Sequence, residues 1–399
     1  GVTTPFDRST IFSMRKKILL VTVSLLAVLL LSGCTGSTTW FGLSVSGDVA
    51  YLANNTAVHA IDVKTGLELW SFSGEASSGI FSFGKSPKLF VVNPIVTEDG
   101  LVIIPSSGND HIIYAVNPKD IPDPKKPSPN IAWQYTGADG HWIATPLIVG
   151  NHLFAPNSDG KIYVLDLKDG QSVKQAIKVI EPFKNVPGQP GRLWSQPVSD
   201  GKRLYVTSLD HSIFAIDLET YDVVWHEGLG GAIPGSAVLG SDGMLYVGSF
   251  AKQLEKFDPA TGKHQSVLTT NGWIWGTPIV DGDNLYFGDI VSGVGGYFYS
   301  YNTKTGKLNS DPVKLDSEIT ASPLVLPDHV HVLVATEAGK VYSINDGVSA
   351  VWFEPAKGKA YTTPVTAGDS VLVSYIESDY YLIALDSNGH KKWTFPAGK

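Results

Sequence analysis

The sequence predicts an all-β chain, an eight-bladed β-propeller of four-stranded antiparallel blades. A recurring turn, a recurring proline and a spacing that closes predict it. The stretch AIDVKTGLELW at 60–70 returns in blurred form as AIDLETYDVVW at 215–225 and ALDSNGHKKW at 384–393. Aligned on its Asp, matching residues fall at Asp62, Asn117, Asp166, Asp217, Asp258, Asn302, Asn345 and Asp386. The last four intervals are 41, 44, 43 and 41 residues, and the earlier ones run from 49 to 55. A period of this size marks a repeat architecture, and four strands in about 45 residues make one blade.

Each unit reads strand, hairpin, strand, loop, strand, Asx turn, strand. Pro94, Pro146, Pro197, Pro278, Pro323 and Pro364 each lead an apolar run, with Ala237 and Leu43 in the same place in the other two units. Proline suits the innermost strand, whose channel-facing edge has no partner. A β-sandwich array explains neither the spacing nor these prolines. Asp or Asn nucleates a turn by accepting bonds from N–H groups just beyond it. Gly66, Gly170, Gly262 and Gly306 follow four residues on, where a positive φ is needed; Tyr221 stands there in the fourth unit. Trp70, Trp225 and Trp393 lie beyond that turn, with Trp133 and Trp352 in equivalent places. A strand cannot bury so large a ring alone, so these five are expected to dock on the neighbouring unit.

Composition agrees: 41 Gly, 24 Pro, 10 Trp and 16 Tyr, with 17% charged residues, fit a turn-dense β protein. The N-terminus reads differently. Met14-Arg15-Lys16-Lys17 precedes ILLVTVSLLAVLLL, a segment rising about 21 Å as a helix against a hydrocarbon core of about 30 Å. It is read as a signal peptide, with residues before Met14 as upstream sequence. Leu31-Ser32-Gly33-Cys34 resembles the lipobox of bacterial lipoproteins, and Cys34 is the one cysteine of the chain. The expected organisation is residues 1–33 removed, a lipidated Cys34 with a short linker at 34–39, and a propeller over 40–399. Two or more acyl chains anchor stably. The net charge is −8; residues 1–33 carry Asp7, Arg8, Arg15, Lys16 and Lys17, a net of +3, which leaves −11. So acidic a protein is not expected to bind nucleic acid.

The pattern A-x-D-x-x-T-G-x-x-x-W, complete in Ala60–Trp70, is similar to the pyrroloquinoline-quinone-type propeller repeat, and the likeness spans the mature chain. With the lipobox it resembles the propeller lipoproteins of the outer-membrane β-barrel assembly machinery. That implies a scaffold that binds envelope or membrane proteins, tethered through Cys34. It would sit on the periplasmic side of an outer membrane, or on the outer face of the cytoplasmic membrane where a cell has no outer one. The alternative is a quinoprotein-like enzyme or small-ligand sensor with a site at the channel mouth. Quinoprotein dehydrogenases carry a catalytic Asp, calcium ligands and often a vicinal disulfide. One cysteine cannot form that disulfide, the chain is short for that class, and its Lys and Arg are scattered where a cofactor with three carboxylates wants converging cations, so neither enzyme nor cofactor is expected.

Two metal motifs read as structure. In Asp281-Gly282-Asp283-Asn284, Leu285 stands where a third oxygen ligand of a calcium loop is wanted, and His329 and His331 lack a third ligand. One cluster breaks the repeat. His141-Trp142, Arg192-Leu193-Trp194, Trp273-Ile274-Trp275 and Tyr361 lie ahead of inner strands, where outer strands cross to the next unit. The connections at 73–90 and 178–192 emerge there too. Trp142, Arg192, Trp194, Trp273, Trp275 and Tyr361 are therefore expected to share one face, as a partner or ligand surface or as a channel plug.

Overall fold

Pairing follows chain order in every unit. In this computed structural model, residues 40–74, 88–179 and 193–397 are described, all within the unit that begins at Trp40. Cys34, Arg192 and most of the two long connections lie outside them. The described residues hold no helix and form eight antiparallel sheets: blades 1 to 8 at 42–72, 95–135, 147–178, 198–228, 238–269, 279–315, 324–353 and 365–395. Pro94, Pro146, Pro278 and Pro364 stand immediately before the inner strands Ile95–Val96, Leu147–Val149, Ile279–Asp281 and Val365–Ala367. Proline has no N–H to leave unpaired on that edge.

The turns between third and outer strands form as their residues dictate. Asp62 Oδ1 accepts from the N–H groups of Lys64 (3.0 Å) and Thr65 (2.8 Å), and Asp258 accepts likewise from Ala260 (2.8 Å) and Thr261 (2.9 Å). Gly66 closes its turn at φ 73°. Asn345 departs from the pattern. The loop there has two residues, Asp346 (φ 48°) and Gly347 (φ 75°), a tight hairpin turn that needs both in the left-handed region.

A blade is apolar on both faces, so it needs a neighbour on each side. Eight core clusters result, each shared by two adjacent blades. In the one joining the chain's ends, Leu52 and Ile61 of blade 1 pack with Leu372 and Leu382 of blade 8, which closes the ring. Second strands such as Val102–Pro105 and Ser370–Ser374 are buried throughout. Each fully buried Leu or Ile contributes about 1.5–3 kcal/mol.

The repeated Ala and Trp explain each other. A β-bulge after the Ala sets it opposite the ring: Ala60 faces Trp70, Ala115 faces Trp133, Ala215 faces Trp225 and Ala384 faces Trp393. The small residue leaves space for an indole, which leans onto the next blade. A Cβ at Gly66 would come within 2.7 Å of the Trp393 ring, and one at Gly262 within 2.7 Å of Trp225. A Cβ at Gly170 would come within 2.4 Å of the Trp133 ring, whereas one at Gly389 would meet the Trp352 carbonyl oxygen at 2.2 Å before its ring at 3.2 Å. The indole N–H then donates to the next blade: Trp393 to Val63 O (2.8 Å), Trp133 to Leu167 O (2.9 Å) and Trp225 to Pro259 O (3.0 Å). Trp70 packs instead within the cluster of blades 1 and 2, against which Ile121 lies.

Three joints differ. Between blades 3 and 4, Lys174 takes the tryptophan's place and Tyr221 the glycine's. The Lys174 ammonium lies 5.3 Å over the Tyr221 ring, which reaches back to Phe154. Either side of blade 6, Ser266 and Ser310 replace the ring. Blade 6 also departs from the four-strand plan. Its outer strand is two pieces, Lys307–Leu308 and Val313–Leu315, both paired to Gly296–Asn302. Pro312 helps interrupt it, because it cannot donate to the ladder.

Blades 1 and 8 each keep their own four strands, so side chains alone seal the ring. Thr362 Oγ1 donates to Phe41 O (2.6 Å) at the entry to the inner strands, and Trp393 docks on Val63 at the outer rim. Trp393→Ala should lower unfolding free energy by about 3 kcal/mol, measured by denaturant titration. An unchanged midpoint would refute sealing by this ring.

Candidate interaction face

Antiparallel order gives the propeller two ends. One carries the Asx turns and the hairpins between first and second strands. The other, the mouth face, carries the loops between second and third strands and the blade-to-blade connections. Each connection ends in an extended approach to the inner strand, and its side chains alternate.

Counting back from the proline position sorts the aromatics. Four residues before it stand Phe90, Trp142, Leu193, Ile233, Ile274, Ile319 and Ala360, every one buried. Three residues before it stand Trp40, Trp194, Trp275 and Tyr361, all half-buried. Five before it stands Trp273, 44% exposed. The expected shared surface is therefore corrected. Trp142 is core, fully enclosed between blades 2 and 3, with Nε1 donating to His111 O (2.9 Å) and its edge toward Tyr163. One residue of offset turned it from the face into the blade interface.

The others fall into two groups. Trp40 enters blade 1 and Trp194 enters blade 4, yet their rings lie 5.9 Å apart. Rings from blades so far separated meet only near the propeller axis. Trp194 Nε1 is enclosed and finds no acceptor among the described residues. A buried donor left so costs about 1–3 kcal/mol. Phe250, from a loop of blade 5 and half-buried, stands between Trp273 (5.1 Å, stacked) and Trp275 (5.4 Å), making an aromatic ridge whose exposed member is Trp273.

Blades 7 and 8 supply an acidic side. Burial, and then the nearby Glu318 charge, raises the Glu337 carboxyl above its ordinary range. Burial and Glu337 in turn raise the Tyr361 hydroxyl. Lys359 is already paired with Glu377 (3.2 Å). A quinone with three carboxylates wants converging cations, and Glu318, Glu337 and Glu377 oppose it, so this mouth does not fit that group. His329 pairs with Asp281 (2.8 Å) and His331 with Asp328 (2.6 Å), and the described residues contain no cluster placed to hold a metal.

Sequence reasoning passed over Phe250, Glu337 and the role of Trp40. Trp40 had a signal, since it precedes Leu43 by the offset that separates Trp194 from Pro197 and Trp275 from Pro278. Phe250 and Glu337 lie in short loops and carry no repeat signal.

Blade count and A-x-D joints define an eight-bladed propeller of the pyrroloquinoline-quinone repeat type. The chain belongs to the family described as outer membrane protein assembly factor BamB, whose family model matches residues 35–265, 210–309 and 309–399. Among solved structures it is similar to BamB from Moraxella catarrhalis: TM-score 0.58, 17% identity, 85% of this chain and 96% of that one. It is also similar to the computationally designed Ika8 protein: TM-score 0.63, 13% identity, 90% of this chain and 98% of that one. Identities this low speak for the fold alone. No curated protein matches by sequence.

Trp142→Ala should destabilise the propeller by about 3–5 kcal/mol. Trp273→Ala should change stability by less than about 0.5 kcal/mol. Thermal or denaturant melts of the two variants check the assignment of core and face, and equal losses would overturn it.

Proposed function

We propose that the protein is an extracytoplasmic scaffold, tethered to the membrane by lipid on Cys34, that binds envelope proteins during outer-membrane protein assembly. The observation that carries this reading is the aromatic ridge of half-buried Phe250 and Trp275 with exposed Trp273 on a propeller of the BamB family. Rigid aromatics with exposed faces are the usual anchors of protein interfaces. The lipobox at Leu31–Cys34 supports the tether. The linker at 35–39 reaches less than about 20 Å. The chain enters blade 1 at Trp40 on the mouth face, so that face would be held near the bilayer.

A second reading, a small ligand at the channel mouth, has one observation in its favour: the enclosed Trp194 donor with no acceptor. A carbonyl or carboxylate held there would satisfy it. The acidic side of the mouth argues for a neutral ligand over an anion.

Co-purification from detergent-solubilised membranes, read by mass spectrometry, tests the scaffold. Envelope partners should be recovered with the wild type and weakened at least about thirtyfold by Trp273→Ala with Trp275→Ala, at unchanged folding. Undiminished recovery would move the docking surface elsewhere. Cys34→Ser should release the propeller from washed membranes. Retention in the pellet would defeat the lipid tether without touching the docking result.

A further inference from the structure

The joint between blades 6 and 7 keeps the repeat's glycine and drops its ring. A Cβ on Gly347 would sit 2.9 Å from the Ser310 Cβ, so Ser310 stands over Gly347 as Trp393 stands over Gly66. Where the indole would lie there is a cleft of about 440 Å³. Phe298, Val332 and Ile344, almost fully buried in the core of blades 6 and 7, back it, Tyr286 stacks on Phe298 at 5.9 Å and 11°, and its accessible wall is largely polar, with Asn284, Asn309 and Asp346.

The rim is held in place. Asn309 donates its amide to Ser300 Oγ (2.7 Å) and Asn284 Oδ1 (2.9 Å), and His329 is fixed by Asp281. The fourfold neighbours show what such a slot accepts. At other joints the same glycine floor carries an indole, and three of those indoles donate to a carbonyl of the next blade. Apolar side chains also extend past the slot. Val330 at its lip is 49% exposed, and Val348, next in the chain to Gly347, is 71% exposed. A lone ring would leave them uncovered, whereas a polypeptide carrying that ring would lie across them.

We propose that this cleft receives one aromatic side chain, best an indole, presented by an extended segment of a partner polypeptide. The site lies at the Asx-turn end of the blades, opposite the mouth face, and does not depend on the scaffold reading.

The test is ¹⁹F NMR of a five-residue Ser-Gly-Trp-Gly-Ser peptide, blocked at both ends and carrying 5-fluorotryptophan, titrated with the purified protein. Saturable shift or broadening is expected at about 1 mM, with at least a tenfold loss in Ser310→Trp, which fills the slot from within. Ser310→Trp should melt no lower than wild type. Val330→Glu, at the exposed lip, should weaken the peptide and spare free 5-fluoroindole, and it carries the test if Ser310→Trp folds poorly. No binding by the wild type, or binding untouched by both substitutions, overturns the proposal. So does free 5-fluoroindole binding as tightly as the peptide, which would make this a small-molecule site.

Discussion

The propeller depends on one constraint: a four-stranded sheet that is apolar on both faces is stable only between two others. The tryptophan-on-glycine joint meets that constraint at the periphery, where blades splay and the core thins. The glycine is required twice over, once for its positive φ and once because a Cβ would occupy the indole's seat. The alanine opposite the ring supplies the remaining space. Three residues spread along eleven positions, as in Ala60–Trp70, thus couple the hairpin's geometry to the packing of the next blade, and the turn and the joint are one device.

Where the joint varies, the local solution follows the same rule. Lys174 and Tyr221 reverse it, with the ring coming from the turn and the cation from the bend that leads into the outer strand. Tyr221 tolerates φ 63° because its ring is held against Phe154 and its hydroxyl lies 3.3 Å from His152 Nδ1. Blade 6 has serine on both sides and a broken outer strand, so it is the least tightly clasped blade at its rim. Its core clusters with blades 5 and 7 remain complete, which leaves peripheral space without loss of the fold.

The mouth face is built on the opposite logic. Its connections begin from rigid strands and are free between them, so side chains there need not repeat. An aromatic side with Trp40, Trp194, Phe250, Trp273 and Trp275 faces an acidic side with Glu318, Glu337 and Glu377. The repeat's family includes quinone enzymes, yet these carboxylates oppose the cofactor's own charge.

Much was legible in the sequence because it is local. Asp62 and its equivalents make their own turns, prolines sit on an unpaired edge, and the interval between Asx residues measures a blade; together these specify eight four-stranded blades. The mouth was legible only as a set of aromatics. Trp142, Trp194 and Trp273 stand four, three and five residues before their prolines, and an extended chain sends such neighbours to opposite sides. Only the assembled ring decides which side is core. The pairing of Trp40 with Trp194, the lone Phe250 between two tryptophans and the cleft over Gly347 also belong to the tertiary structure. Each joins residues from different units, and periodicity within one unit carries no information about what the next unit brings to the contact.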